Sequence, residues 1–190
     1  MKGIRSFIAI EIPVDFKEAL GRIQRTLGSA EVKVRWVDHR NIHLTTKFLG
    51  DVQDSDVPVI CEVIKSAASG VEPFELEIAG LGFFPPKGPP RIIWAGIKGQ
   101  IETLEKLVGE IDEGISREVG IRPESRRYHP HLTLGRVKST RGAGRMAELM
   151  RESEAVEIGK FSARAVTLFM SELTAAGAVH TPMAEIKLGE

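Results

Sequence analysis

Two stretches decide how this 190-residue chain reads: Asn41–Gly50 (NIHLTTKFLG) and His129–Lys138 (HPHLTLGRVK). Both carry His-Leu-Thr inside a run of strand-forming residues. On a strand, residues two apart share a face. His43 and Thr45 therefore project together, and so do His131 and Thr133. Leu44 points the other way in the first copy, and Leu132 and Leu134 do so in the second, towards a core. Each strand thus shows an imidazole and a hydroxyl on its polar side.

Working outward, SFIAIEIP near the N-terminus alternates, with Ile8, Ile10 and Ile12 on one face and Phe7, Ala9 and Glu11 on the other. Pro13 ends that strand, and Asp15 is the expected N-cap of a helix carrying Phe16, Leu20, Ile23 and Leu27. A helix is expected over Asp54–Ala68. The strands PFELEIAGLG and PRIIWAGI follow, joined by the loop FFPPKGPP, whose prolines exclude helix and central strand. An amphipathic helix over about Ile101–Val119 puts Leu104, Leu107, Val108, Ile111 and Ile115 on one face. After the HLTLGRV strand come a short helix near Ala143–Glu152 and three strands, EIGKF, ARAVTLFMSEL and VHTPMAEIKL.

Helices and strands do not alternate strictly along this order, which favours α+β over a doubly wound parallel sheet. The repeated His-Leu-Thr suggests two similar lobes, each contributing one strand. Residues 1–190 read as a single bilobal domain.

Composition narrows the function. Lys+Arg and Asp+Glu both number 26, so the net charge is zero, and a nucleic-acid coat protein with a basic excess is excluded. Any RNA contact must come from a local basic site. The one cysteine, Cys61, rules out an internal disulfide framework and reads as a buried, inert thiol among apolar neighbours. No run of 18 apolar residues occurs, and no leader pattern stands at the N-terminus. A cytoplasmic protein with no membrane partner is expected, acting as a monomer.

Two imidazoles facing one groove suit acid–base work near neutrality, since histidine titrates near ~6.5. One activates water while the other protonates a leaving oxygen. Threonine hydroxyls can hold phosphoryl oxygens in line between them. A metal site is the competing reading, because His39 and His43 stand four apart. That spacing needs a helix, whereas Asn41-Ile42 leads into a strand and no acidic residue stands in a ligand register. No metal and no cofactor are expected.

RSFIAIEIP, NIHLTTKFLGDV, PPRIIWAGI and HPHLTLGRV, in that order over the whole chain, resemble the RNA 2′,3′-cyclic phosphodiesterases. These are also called 2′-5′ RNA ligases and belong to the two-histidine (2H) phosphoesterases. The resemblance implies a LigT-like α+β fold: two antiparallel sheets flank a central cleft, with helices outside and pseudo-two-fold lobes. It implies hydrolysis of an RNA 2′,3′-cyclic phosphate to a 2′-phosphate without metal, on RNA ends that include tRNA fragments. His43 would be the proton donor and His131 the acceptor, roles that the near-symmetric motifs do not themselves assign. Joining the cyclic phosphate to a 5′-hydroxyl, the reverse reaction, stays open. So do turnover of small cyclic nucleotides and a purely RNA-binding role.

Other residues are candidates around the pair. Arg136 matches an arginine that the resemblance assigns to phosphate. Strict alternation places it with Leu132 and Leu134, unless Gly135 permits a bulge. Lys47, in phase with His43 and Thr45, is expected to touch substrate. Phe7 is expected to stack on a base, with Phe83 and Phe84 as weaker candidates. Arg127, with Arg122 and Arg126, forms a basic patch that can guide RNA. His129 reads as a structural neighbour of His131. His180 stands where the resemblance leads one to expect tyrosine.

Overall fold

The computed structural model describes all residues except 1–2, 31, 140–143, 145, 147, 149, 151–155 and 176. The short helix expected near 143–152 lies largely outside the described residues. In chain order the elements are β1 (Ile4–Ile10), α1 (Val14–Gly28), β2 (Val34–Trp36), β3 (Leu44–Val52) and α2 (Val57–Ala68). Then follow β4 (Phe74–Phe84), β5 (Ile92–Gly99), α3 (Ile101–Val119), β6 (His131–Val137), β7 (Glu157–Ala163), β8 (Ala165–Thr174) and β9 (Gly177–Lys187). A 3₁₀ turn, His39–Asn41, precedes β3. Helix α1 opens on Pro13 rather than on Asp15, which lies in its first turn. Among the described residues, no helix is long and apolar enough to cross a membrane.

The strands form two antiparallel sheets, ordered β3-β1-β8-β9 and β2-β6-β5-β4-β7. Each holds one His-Leu-Thr strand beside the strand that precedes it by a helix: β1-α1 leads to β3, and β5-α3 leads to β6. The sheets are not contiguous halves of the chain. β8 and β9 return to complete the first sheet, while β2 leaves the N-terminal half to pair with β6.

Alternation explains what each sheet buries. Ile8, Ile10, Leu44, Leu132 and Leu134 lie in the main core, packed with Leu20 and Leu27 of α1, Ile60 and Ile64 of α2, and Leu104, Leu107, Ile111 and Ile115 of α3. Burial of each such side chain stabilises the fold by roughly 1.5–3 kcal/mol. The opposite face of β1 is separate: Phe7, Ala9 and Phe169 form a small apolar cluster of their own. The helices occupy one side of the sheets, and the polar ends of the two motifs are left on the other.

Candidate active site

Both motif histidines are held in the same way. His43 Nδ1 lies 2.7 Å from the carbonyl oxygen of Asn41, and His131 Nδ1 lies 2.6 Å from that of His129. A carbonyl only accepts, so each Nδ1 carries the hydrogen and the neutral ring keeps its lone pair on Nε2. Each Nε2 can thus accept a proton, or donate one once charged. The support behind the carbonyls differs. Asn41 belongs to the 3₁₀ turn capped by Asp38, and its side-chain amide donates to Ala178 of β9 at 2.7 Å. His129 is followed by Pro130, which fixes the approach to β6.

The two motifs share a second feature. Along β1 and β3, Ala9 faces Thr45 and Ile8 faces Lys47, leaving Thr46 as an extra, bulged residue. Along β5 and β6, Trp94 faces Thr133 and Ile93 faces Gly135, leaving Leu134 as the extra one. The bulge falls at the residue after the threonine in both copies, and in both it reverses the side-chain phase beyond it. Each is held by hydrogen bonds: Thr46 Oγ1 donates to Ile8 O at 3.0 Å, while Leu134 O accepts from Gln24 Nε2 and Val37 N, both at 2.9 Å.

This reversal settles the tension at Arg136. It pairs opposite Ile92, in phase with Trp94 and Thr133, and so shares the face of His131. The same reversal corrects the reading of Lys47. Opposite Ile8, it is turned to the helix side, where it is buried in an ion pair with Asp112 of α3 and donates to the Arg122 carbonyl at 3.4 Å. It braces the loop ahead of the second motif and has no route to substrate. Arg127 is also corrected: its almost fully exposed guanidinium pairs with Glu105 on α3 at 3.4 Å rather than with the motif residues.

Phe7 is on the expected face but does not offer itself to a base. It is only 3% exposed, stacked against His43 at 4.6 Å and Phe169 at 5.1 Å, with His180 edge-on at 4.9 Å. It serves as the apolar bed of the first histidine. Phe84 does the corresponding job edge-on to His131 at 5.1 Å, while Phe83 packs against the core. Trp94 lies beside them at 5.4 Å from both Phe84 and His129. A Cβ at Gly82 would meet its ring at 2.1 Å, so only glycine admits the indole there.

Sequence reasoning missed three residues. Tyr128, buried enough that its phenol is pushed well up, donates to the Thr45 carbonyl at 2.9 Å and ties the two motifs together. Gln24 holds the second bulge from α1. His180 lies edge-on to His43 at 5.4 Å, and its Nδ1 is buried without a hydrogen-bond partner. An Asn, Gln or Tyr next to a motif or facing a helix interior was the only signal the sequence held.

Electrostatics follow from burial. Burial drops the His43 pKa to about 4, opposed by the Asn41 carbonyl and assisted by His180 and Lys17. Burial also lowers His131; the His129 carbonyl opposes this, and the charges of His129 and Arg136 add to it. His180 is lowered by burial, with Glu11 opposing. Among the described residues, no three His, Cys, Asp or Glu side chains cluster as metal ligands.

Two imidazoles with Nε2 free, two threonines in phase with them and one arginine on the same face form a site for acid–base chemistry on an anion, in a bilobal α+β frame. Comparison gives that class a family. The model of the LigT-like phosphoesterases matches residues 10–94 and 97–180, one segment for each His-x-Thr copy. The chain belongs to this family. It is 39% identical to an RNA 2′,3′-cyclic phosphodiesterase of Methanothermobacter thermautotrophicus, over 97% of this chain and 99% of that one. It is 33% identical to an RNA 2′,3′-cyclic phosphodiesterase of Aeropyrum pernix, over 88% and 94%. The Thermus thermophilus protein TT0787 superposes with a TM-score of 0.80 at 25% identity, covering 97% and 98% of the two chains. Escherichia coli LigT without ligand shares the fold, with a TM-score of 0.78 at 22% identity over the whole of both chains.

Proposed function

We propose that this chain hydrolyses the 2′,3′-cyclic phosphate at an RNA 3′ end to a 2′-phosphomonoester, without a metal, using His43 as proton donor and His131 as proton acceptor. The observation that carries the reading is the matched pair of imidazoles, each locked through Nδ1 to a main-chain carbonyl with Nε2 left to react. The relatives' names support the substrate. tRNA fragments are one source of such ends.

In this mechanism His131 Nε2 takes a proton from water as the oxygen attacks phosphorus. The P–O3′ bond breaks, and His43 Nε2–H protonates the departing 3′ oxygen. Thr45 and Thr133 donate to the non-bridging oxygens, and Arg136 holds their negative charge. The substrate's own charge is part of the design. In the empty cleft burial keeps His43 neutral, whereas a phosphodiester anion beside it favours the imidazolium that the reaction needs.

The test is an RNA oligonucleotide ending in cyclic phosphate, incubated with the protein in EDTA and followed by ³¹P NMR. Conversion to a 2′-phosphate is expected. An intact cyclic end that opens only when metal is restored contradicts the mechanism. With a 5′-hydroxyl RNA added, a dominant 2′-5′ joined product would assign ligation instead.

A further inference from the structure

The bulge after each threonine creates one more pair of equivalent positions, and the chain fills them with opposite chemistries. Two residues beyond the bulge stands Arg136 in the second motif and Phe48 in the first. Both are turned to the face that carries the histidines. Phe48 pairs opposite Phe7, their rings are 6.2 Å apart, and Phe7 is itself stacked on His43.

The remaining rings of this row are packed away, but Phe48 is 68% exposed. Among the described residues it is the only aromatic side chain in the group of large exposed apolar ones. Scattered exposed apolar residues need no explanation by themselves. This one differs because the fold turns it there: without the bulge at Thr46 its phase would be the core's. It also lies one ring beyond the ring that supports His43, about where a ribose bound at His43 would direct its base.

We infer that Phe48 is the platform on which the nucleobase of the cyclic-phosphate nucleotide stacks, with Arg136 as its charged counterpart on the phosphate. This rests on the proposed function for the position of the phosphate. Stacking on a phenyl face is open to every base, so the platform favours a nucleotide over a bare sugar phosphate without selecting sequence.

The experiment compares adenosine 2′,3′-cyclic phosphate with base-free 1-O-methylribose 2,3-cyclic phosphate, on wild type, Phe48→Ala and Phe48→Trp. Wild type is expected to prefer the adenosine substrate in kcat/KM. Phe48→Ala should reduce that preference about 5- to 100-fold, mainly through KM, a range that corresponds to one base–aromatic stack. Phe48→Trp should retain it. An equal loss on both substrates would show that Phe48 only steadies Phe7 and His43, and an unchanged preference would show that the base lies elsewhere; either overturns the inference. If wild type opens neither substrate, the proposed function fails. Calorimetric binding of adenosine 2′-monophosphate then decides the stack: equal affinity for wild type and Phe48→Ala overturns it, and weaker binding by the variant upholds it.

Discussion

The two lobes present the same backbone device in different surroundings. Each sets an imidazole on a carbonyl and a threonine two residues on, then inserts a bulge that swings a later side chain to the cleft. In the first lobe the histidine is stacked on Phe7 within an aromatic cluster, and Phe48 occupies the swung position. In the second lobe the histidine meets Phe84 edge-on, is less buried, and shares its face with Arg136. Such a difference divides the work: an apolar bed makes a reluctant, hence strong, acid, and a charged neighbour draws in the phosphate. Symmetry of frame with asymmetry of lining lets one duplicated motif perform two proton transfers of opposite sense.

The largest effects should come from erasing either half of the pair. His43→Ala and His131→Ala should each lower kcat by about 10²- to 10⁴-fold, measured on cyclic-phosphate RNA in EDTA. If either variant is folded by circular dichroism and keeps normal turnover, its lobe has no part in the chemistry.

Removing the charge from the second lobe is the next test. Arg136→Ala should raise KM about 10-fold or more, in line with a lost charge-assisted contact of roughly 1.5–3 kcal/mol. Arg136→Lys should recover part of it. A KM unmoved by Arg136→Ala would leave the arginine outside the phosphate site.

The pH profile sharpens the comparison further. The free enzyme is competent when one imidazole is charged and the other is not, a state most populated between the two pKa values of the pair. Burial puts His43 near 4 and lowers His131 from its usual value near 6.5. The optimum of kcat/KM should therefore fall below about pH 6.5 and decline as pH rises through neutrality. Bound phosphate favours the charged ring, so kcat should peak at a higher pH than kcat/KM. A kcat/KM maximum above pH 7.5 would contradict this ordering.

The smallest effect belongs to the support of one bulge. Gln24→Leu strips an amide donor from the Leu134 carbonyl, a buried acceptor that keeps the Val37 N–H. A loss of about 1–3 kcal/mol in unfolding free energy is expected by denaturant titration. Because the bulge aims Arg136, KM should rise while the His43 lobe is untouched. An undiminished stability would mean that the bulge needs no side chain to hold it.

How much of this was legible in the sequence varied with the range of the interaction. Period-two alternation placed Ile8, Ile10, Leu44 and Leu132 in the core and put Phe7 on the other face, since burial on one side of a strand dictates that pattern. Gly135 flagged the second bulge, although the inserted residue is Leu134. Nothing flagged the first: Thr46 looks like any strand residue, its hydroxyl bond to Ile8 is a tertiary fact, and Lys47 was accordingly assigned to the wrong face. Phe48, one step further, went unnoticed for the same reason. The bonds from Tyr128 to Thr45 and from Gln24 to Leu134 join residues far apart in the chain, where no local pattern reaches.

The division of roles between the lobes is tested most directly by a substrate that needs no acid. In a cyclic phosphate whose 3′ oxygen is replaced by sulfur, the thiolate leaves without a proton, whereas attack by water still requires a base. On this substrate His43→Ala should recover most of the wild-type rate, while His131→Ala should remain as slow as on the oxygen substrate. Recovery by His131→Ala instead, or by neither variant, would contradict the assignment of His43 as the acid and His131 as the base.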